Sequence, residues 1–157
     1  MEKAREYLGL MTKESETASR LAVRPHHSAG DGPYENFILR GIRVDRVEPG
    51  FVSCTFKVPP RLTDASGNLS AGAIASLVDD VGEASVHDED LPLKVSVDMS
   101  ISILSTAKAN DELEITSRAL GQKGGYSGTV ILFKNKVTGE LIAEGRHSLY
   151  GKIPSKI

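Results

Sequence analysis

The stretch Ser70–Val86, SAGAIASLVDDVGEASV, decides the fold. Ile74, Leu77, Val78 and Val81 fall at i, i+3, i+4 and i+7, which predicts one apolar helical stripe. The remaining positions are mostly small: Ala71, Gly72, Ala73, Ala75, Ser76, Gly82, Ala84 and Ser85. Small side chains let other backbones come close. A helix that is apolar on one side and small elsewhere suits a position enclosed by a curved sheet. Gly72 and Gly82 each cost a helix about 1 kcal/mol against Ala, so something other than propensity must favour them.

Strand patterns flank this helix. Upstream, Val52, Cys54, Phe56 and Val58 alternate with Ser53, Thr55 and Lys57 before Pro59-Pro60. Cys54 thus reads as a buried small hydrophobe. Downstream, Val95, Val97, Met99, Ile101 and Ile103 alternate with Ser96, Asp98, Ser100 and Ser102, which predicts a long strand with one buried face. Further strands are expected around Glu112–Thr116, Tyr126–Val137 and Leu141–Tyr150, joined by Gly121–Gly125 and Thr138-Gly139-Glu140 as an antiparallel meander. A first helix is expected over residues 1–21 with Tyr7, Leu8, Met11 and Leu21 on its apolar side, then a Pro/Gly/His-rich loop over 22–36 and a strand region from 37. His26 and His27 in that loop have no matching Asp, Glu or Cys spacing for a metal. The fold class is α+β: a long central helix wrapped by an antiparallel sheet. The expected divisions are an N-terminal helix and loop (1–36), the main domain (37–150) and a tail (151–157).

Composition limits the function. At 157 residues the chain can bury a core without staples, and a net charge of −2 offers no bulk basic field for nucleic acid. Hydrophobic residues at 39% and charged residues at 25% describe a globular chain. No run is long and apolar enough to span a membrane. A single cysteine permits neither an intrachain disulfide nor a cysteine-cluster metal site, and it suits a reducing compartment. The N-terminus has no secretory h-region, and Glu2, Glu6, Glu14 and Glu16 argue against a transit peptide. Ser155-Lys156-Ile157 is one aliphatic swap from the Ser-Lys-Leu peroxisomal address, so it reads as that address or as a polar tail, with the cytosol as the alternative location.

The chemistry is expected where the loop Thr63–Leu69 delivers the chain to the helix N-terminus. Unpaired N–H groups and the positive end of the dipole there can hold a developing oxyanion. Asp79 lies seven residues past Gly72 (79 − 72 = 7), on the face of Ser76 and Glu83 and away from the apolar stripe. It reads as a general base or nucleophile, or as a solvated polar-face residue. Ser70 also reads as an N-cap.

Residues 63–80, Val95-Ser96-Val97-Asp98-Met99 and Gly139–His147 together resemble the hotdog-fold acyl-CoA thioesterases of the phenylacetate-degradation and acyl-CoA thioesterase 13 type, over roughly residues 37–150. The resemblance implies hydrolysis of acyl-CoA thioesters with no metal or redox cofactor. By it, Asp79 is the base or nucleophile and the Ala71 and Gly72 N–H groups are the oxyanion donors. Asp64 positions water or the attacked group, and Ser96 reaches in from the neighbouring subunit. Ser70, Ser76, Gly125 and Tyr126 are candidate substrate contacts. Dimers through sheet edges, or dimers of dimers forming a homotetramer, are implied, with CoA along the subunit boundary. The chain departs from the family's His-Gly-Gly with Ser70-Ala71-Gly72, and from its loop asparagine with Asp64. Were Asp64 and Asp79 close, one would hold its proton more tightly. The rival reading is a non-catalytic acyl-CoA binding or regulatory protein on the same fold. A dehydratase ranks last, because it needs a His paired with a carboxylate at the helix start.

Overall fold

The computed structural model describes residues 2–9, 32–87 and 94–151. The chain divides into two compact units, residues 1–34 and 35–157. In the first, helix α1 (Glu2–Leu8) buries no residue; Tyr7 and Leu8 are exposed. The expected continuation of this helix to residue 21, the paired histidines and the C-terminal tripeptide lie outside the described residues.

Helix α2 (Pro33–Leu39) replaces the expected end of a loop and start of a strand. A tertiary partner, invisible in the local pattern, explains the difference. The Arg61 guanidinium donates to the carbonyls of Phe37 (2.8 Å) and Arg40, and to that of Ile38 at 3.5 Å. It thereby satisfies carbonyls that a helix C-terminus leaves open. Ile38 joins the core.

Strands β1 (Ile42–Glu48), β2 (Phe51–Lys57), β3 (Val95–Ile103), β4 (Glu112–Lys123), β5 (Tyr126–Asn135) and β6 (Leu141–Tyr150) form one antiparallel sheet. Their spatial order is β1-β2-β4-β5-β6-β3. β4, β5 and β6 make the expected meander. β3 is not its first member: it crosses to the far side and pairs with β6.

Helix α3 (Ala71–Ala84) lies on the sheet and buries Ala73, Ile74, Leu77, Val78, Val81 and Gly82. Phe56, Leu113, Ile115, Ile131 and Phe133 come from the sheet to meet it, all at 0% exposure. Each fully buried side chain of this kind contributes about 1.5–3 kcal/mol, which outweighs the glycine penalty in the helix. Gly82 and Gly145 are where helix and β6 come closest. A methyl on Gly82 would sit 2.7 Å from His147 Nδ1, and one on Gly145 2.6 Å from Val78 Cγ2. Close packing explains Gly82. At Gly72 a methyl would meet nothing within 4 Å, so packing does not explain it.

The two sheet edges differ. β1 carries the ion pairs Arg43–Asp45 (2.8 Å) and Arg46–Glu48 (2.6 Å) and a register shift between Val44 and Arg46. On β3 the expected buried row is largely uncovered: Val95, Val97, Met99 and Ile103 are 64%, 58%, 40% and 49% exposed. The alternation identifies the strand correctly, but as the last strand of the sheet it has no neighbour on one side.

Candidate active site

Asp79 projects from α3 toward the β6–β3 pair, where two side chains meet it. The Ser96 hydroxyl donates to Asp79 Oδ1 at 2.6 Å, and His147 Nε2 lies 3.0 Å from Ser96 Oγ and 3.3 Å from Asp79 Oδ1. Burial pushes the pKa of His147 down against the opposing pull of the Asp79 charge, and its side chain is fully buried. The ring is therefore neutral near pH 7, and its contact with Asp79 is not an ion pair. Because Ser96 spends its proton on Asp79, the ring proton sits on Nε2 and donates to Ser96 Oγ. Nδ1 is left as a buried acceptor without a partner, against Gly82. The Asp79 side chain is 43% exposed, which leaves it open to water.

A β-bulge delivers Ser96 to this point. Ser96 pairs with Leu149, and two residues later Asp98 pairs with Ser148, only one residue away. Val97 is the extra residue. Met99, Ile101 and Ile103 pair with His147, Gly145 and Ala143, all buried positions of β6. Strict alternation would put Ser96 on the opposite face from Met99. The bulge turns it inward, as bulges near active sites commonly re-aim a side chain.

At the helix start, Ser70 is the N-cap, and its Oγ accepts from the Ala73 N–H at 3.2 Å. Ile74 N–H closes the first helical bond on Ser70 O. Among the described residues, the N–H groups of Ala71 and Gly72 have no acceptor. They point outward along the axis with the helix dipole behind them.

Asp64 shapes the loop that leads there. Its Oδ1 accepts from the N–H groups of Ser66 (2.8 Å) and Asn68 (3.0 Å), and its main chain closes a turn with Asn68 and Gly67. The Asn68 N–H, then that of Ser66, holds its carboxyl below the usual range. Asp79 is not among the groups that shift it, so within one chain the condition that the two acids lie close is not met, and Asp64 is ionised. Ser76 donates to the Gly72 carbonyl within the helix at 3.0 Å. Gly125 is pressed against the Gly151 carbonyl, where a methyl would lie at 2.1 Å, and it accepts from the Gly151 N–H. Tyr126 heads an exposed row with Tyr150 and Val95, while the adjacent row of Ser127, Leu149 and Ser96 faces the helix. Tyr126 therefore belongs to the outer face, on the other side of the sheet from α3. A cleft of about 710 Å³, bounded by Ser85, His87, Lys94 and Leu120 among others, opens at the opposite end of α3.

Sequence reasoning missed His147 as a site residue. The signal was available: His147 shares the two-residue period of Ala143, Gly145 and Leu149, so a polar ring falls on an inward row. Cys54 is buried and its thiol is pushed up to about 11, consistent with an inert core residue. Among the described residues no three His, Cys, Asp or Glu side chains could hold a metal ion, and no helix is long and apolar enough to cross a membrane.

No family model matches the chain. Acyl-coenzyme A thioesterase 13 of Homo sapiens is 38% identical over 112 residues, which is 71% of this chain and 80% of that protein. The chain belongs to the acyl-CoA thioesterase 13 family. Thioesterase superfamily member 2 from Mus musculus superposes on it with a TM-score of 0.67 at 33% identity, covering 72% of this chain and 84% of that one. The zebrafish thioesterase superfamily member 2 gives a TM-score of 0.70 at 28% identity, covering 90% of this chain and 99% of that one. Membership accounts for the hotdog arrangement of α3 and its sheet.

Proposed function

We propose that the chain hydrolyses acyl-CoA thioesters to free acid and CoA at a site assembled from two copies. The observation that carries this is the Asp79–Ser96–His147 cluster on one side of α3, set apart from the two undonated N–H groups at its start. A carboxylate with one oxygen held by a hydroxyl, and open to solvent, is suited to take a proton from water. The N–H pair is suited to hold the oxyanion that forms as that water attacks the thioester carbonyl.

One helix cannot bring both to the same carbonyl. Seven residues of α-helix span about 10 Å, and the first-turn N–H groups point away from Asp79. Reacting atoms must approach to about 3–3.5 Å. The donors Ala71 and Gly72, with the Asp64 loop, therefore act with the Asp79, Ser96 and His147 of another copy. This revises one expectation: Ser96 stands with the Asp79 of its own chain, and it is the helix start that comes from the neighbour. The uncovered apolar strand β3 is the surface for that neighbour, giving a dimer, and a dimer of dimers completes the homotetramer.

Mixed oligomers test the arrangement. Ala71→Pro removes one donor N–H; Ser70 before it is already extended (ψ 148), so proline fits at this first helical position. Ala71→Pro and Asp79→Asn are each expected to be nearly inactive alone. Coexpressed, they are expected to recover roughly a quarter of wild-type activity, because random pairing gives half heterodimers with one intact site each. No recovery in verified heterodimers would place the site within one chain.

Ser155-Lys156-Ile157 directs the protein to the peroxisome in this reading, where acyl-CoA chemistry is at home. A fluorescent protein fused ahead of the free C-terminus is expected to collect in peroxisomes and to become cytosolic when the tripeptide is removed. Diffuse signal from the intact fusion refutes it.

A further inference from the structure

Glu83 follows Asp79 by one helical turn on the same face of α3. The carboxyl is set in the angle between the helix and the chain entering β3, where the Lys94 backbone N–H donates to it. Its Oε1 is shut off from solvent and has no hydrogen-bond partner. The charged groups facing it are Asp79 on its own helix, His87 beyond the helix end and Lys94 ahead of β3. The Lys94 ammonium is committed elsewhere, to the Val86 carbonyl (3.1 Å) and Ser127 Oγ (2.8 Å).

We infer that Glu83 is a positioning residue: it carries the proton of a carboxyl pair whose single negative charge rests on Asp79. The inference rests on the function proposed above. Two carboxylates a turn apart on one helix face oppose each other's ionisation. Each has one donor, the Ser96 hydroxyl on Asp79 and the Lys94 N–H on Glu83, but the Asp79 side chain is 43% exposed to water whereas Glu83 keeps one buried oxygen without a partner, so the charge goes to Asp79. Burial first, and the Asp79 charge second, push the Glu83 carboxyl above its ordinary range, against the weaker pull of His87 and Lys94. With Glu83 neutral, the site presents one negative charge to a thioester whose carbonyl oxygen is itself becoming negative. Ionisation of Glu83 adds a second charge and opposes that step, so the rate falls on the alkaline side.

Carboxyl-selective ¹³C NMR of the wild-type oligomer reads the titration without substrate. Glu83 is expected to titrate above the other glutamates, and its midpoint is expected to move down in Asp79→Asn. In the kcat profile of the wild type, activity is expected to decline on the alkaline side with the Glu83 midpoint, and Glu83→Gln, which fixes the neutral form, is expected to abolish that decline. A midpoint in the ordinary glutamate range, a midpoint unmoved by Asp79→Asn, or an alkaline decline that persists in Glu83→Gln would each overturn the inference. Absence of acyl-CoA hydrolysis by the wild type refutes the proposed function instead, and leaves the titration readable.

Discussion

Asp79→Asn is expected to lower kcat by about 10²–10⁴, the usual worth of a positioned general base. The substitution keeps the shape of the side chain and an oxygen that can still accept from Ser96, so the fold and the His147 contact should survive. It removes the ability to take a proton from water. Circular dichroism and the oligomeric mass should match the wild type while thiol release from acyl-CoA falls. Near-wild-type turnover would show that Asp79 is a helix-surface carboxylate held by Ser96 for structural reasons.

The second large effect is expected from a residue with no chemistry of its own. Val97, the extra residue of the β3 bulge, is 58% exposed on the uncovered strand. Val97→Asp places a charge in the row through which the second copy is proposed to pair. The product should be a folded monomer with activity reduced by two or more orders of magnitude, on the order of the loss of an oxyanion donor or a general base, since both halves of the site are then separated. Val47→Asp on β1, somewhat more exposed at 67%, is the control, and should change neither mass nor activity. Light scattering with an activity assay decides the matter: a fully active monomer of Val97→Asp would sink the shared site.

The sequence pattern showed the central helix, its buried stripe and every strand, because period-3.6 and period-2 burial are local properties of the chain. Much of the site lay beyond such reading. The bulge at Val97 changes the face of Ser96, and it becomes visible only when β3 is set against β6. The cap of Arg61 on α2 joins residues more than twenty positions apart. His147 stood in plain view on an inward row, but only the position of Gly82 on the facing helix shows why a ring fits there. Asp64 was legible as a loop residue, whereas its hold on Ser66 and Asn68 depends on the left-handed Gly67 (φ +76) that closes the turn. The exposure of β3 follows from strand order, which residue pattern alone does not specify.

The contrast between the two outer strands also bears on where the proposed assembly would stop. A sheet open on both sides can recruit copy after copy and grow into a fibre. Both outer strands carry a register shift, but β1 is studded with Arg43–Asp45 and Arg46–Glu48, while β3 carries the exposed apolar row Val95, Val97, Met99 and Ile103 and no ion pair among the described residues. In the proposed assembly, growth would proceed from the β3 side only. In the proposed dimer, two copies joined there by a two-fold axis would present charged strands at both far ends, so the joint sheet would be self-terminating, with the strands of two chains and no more.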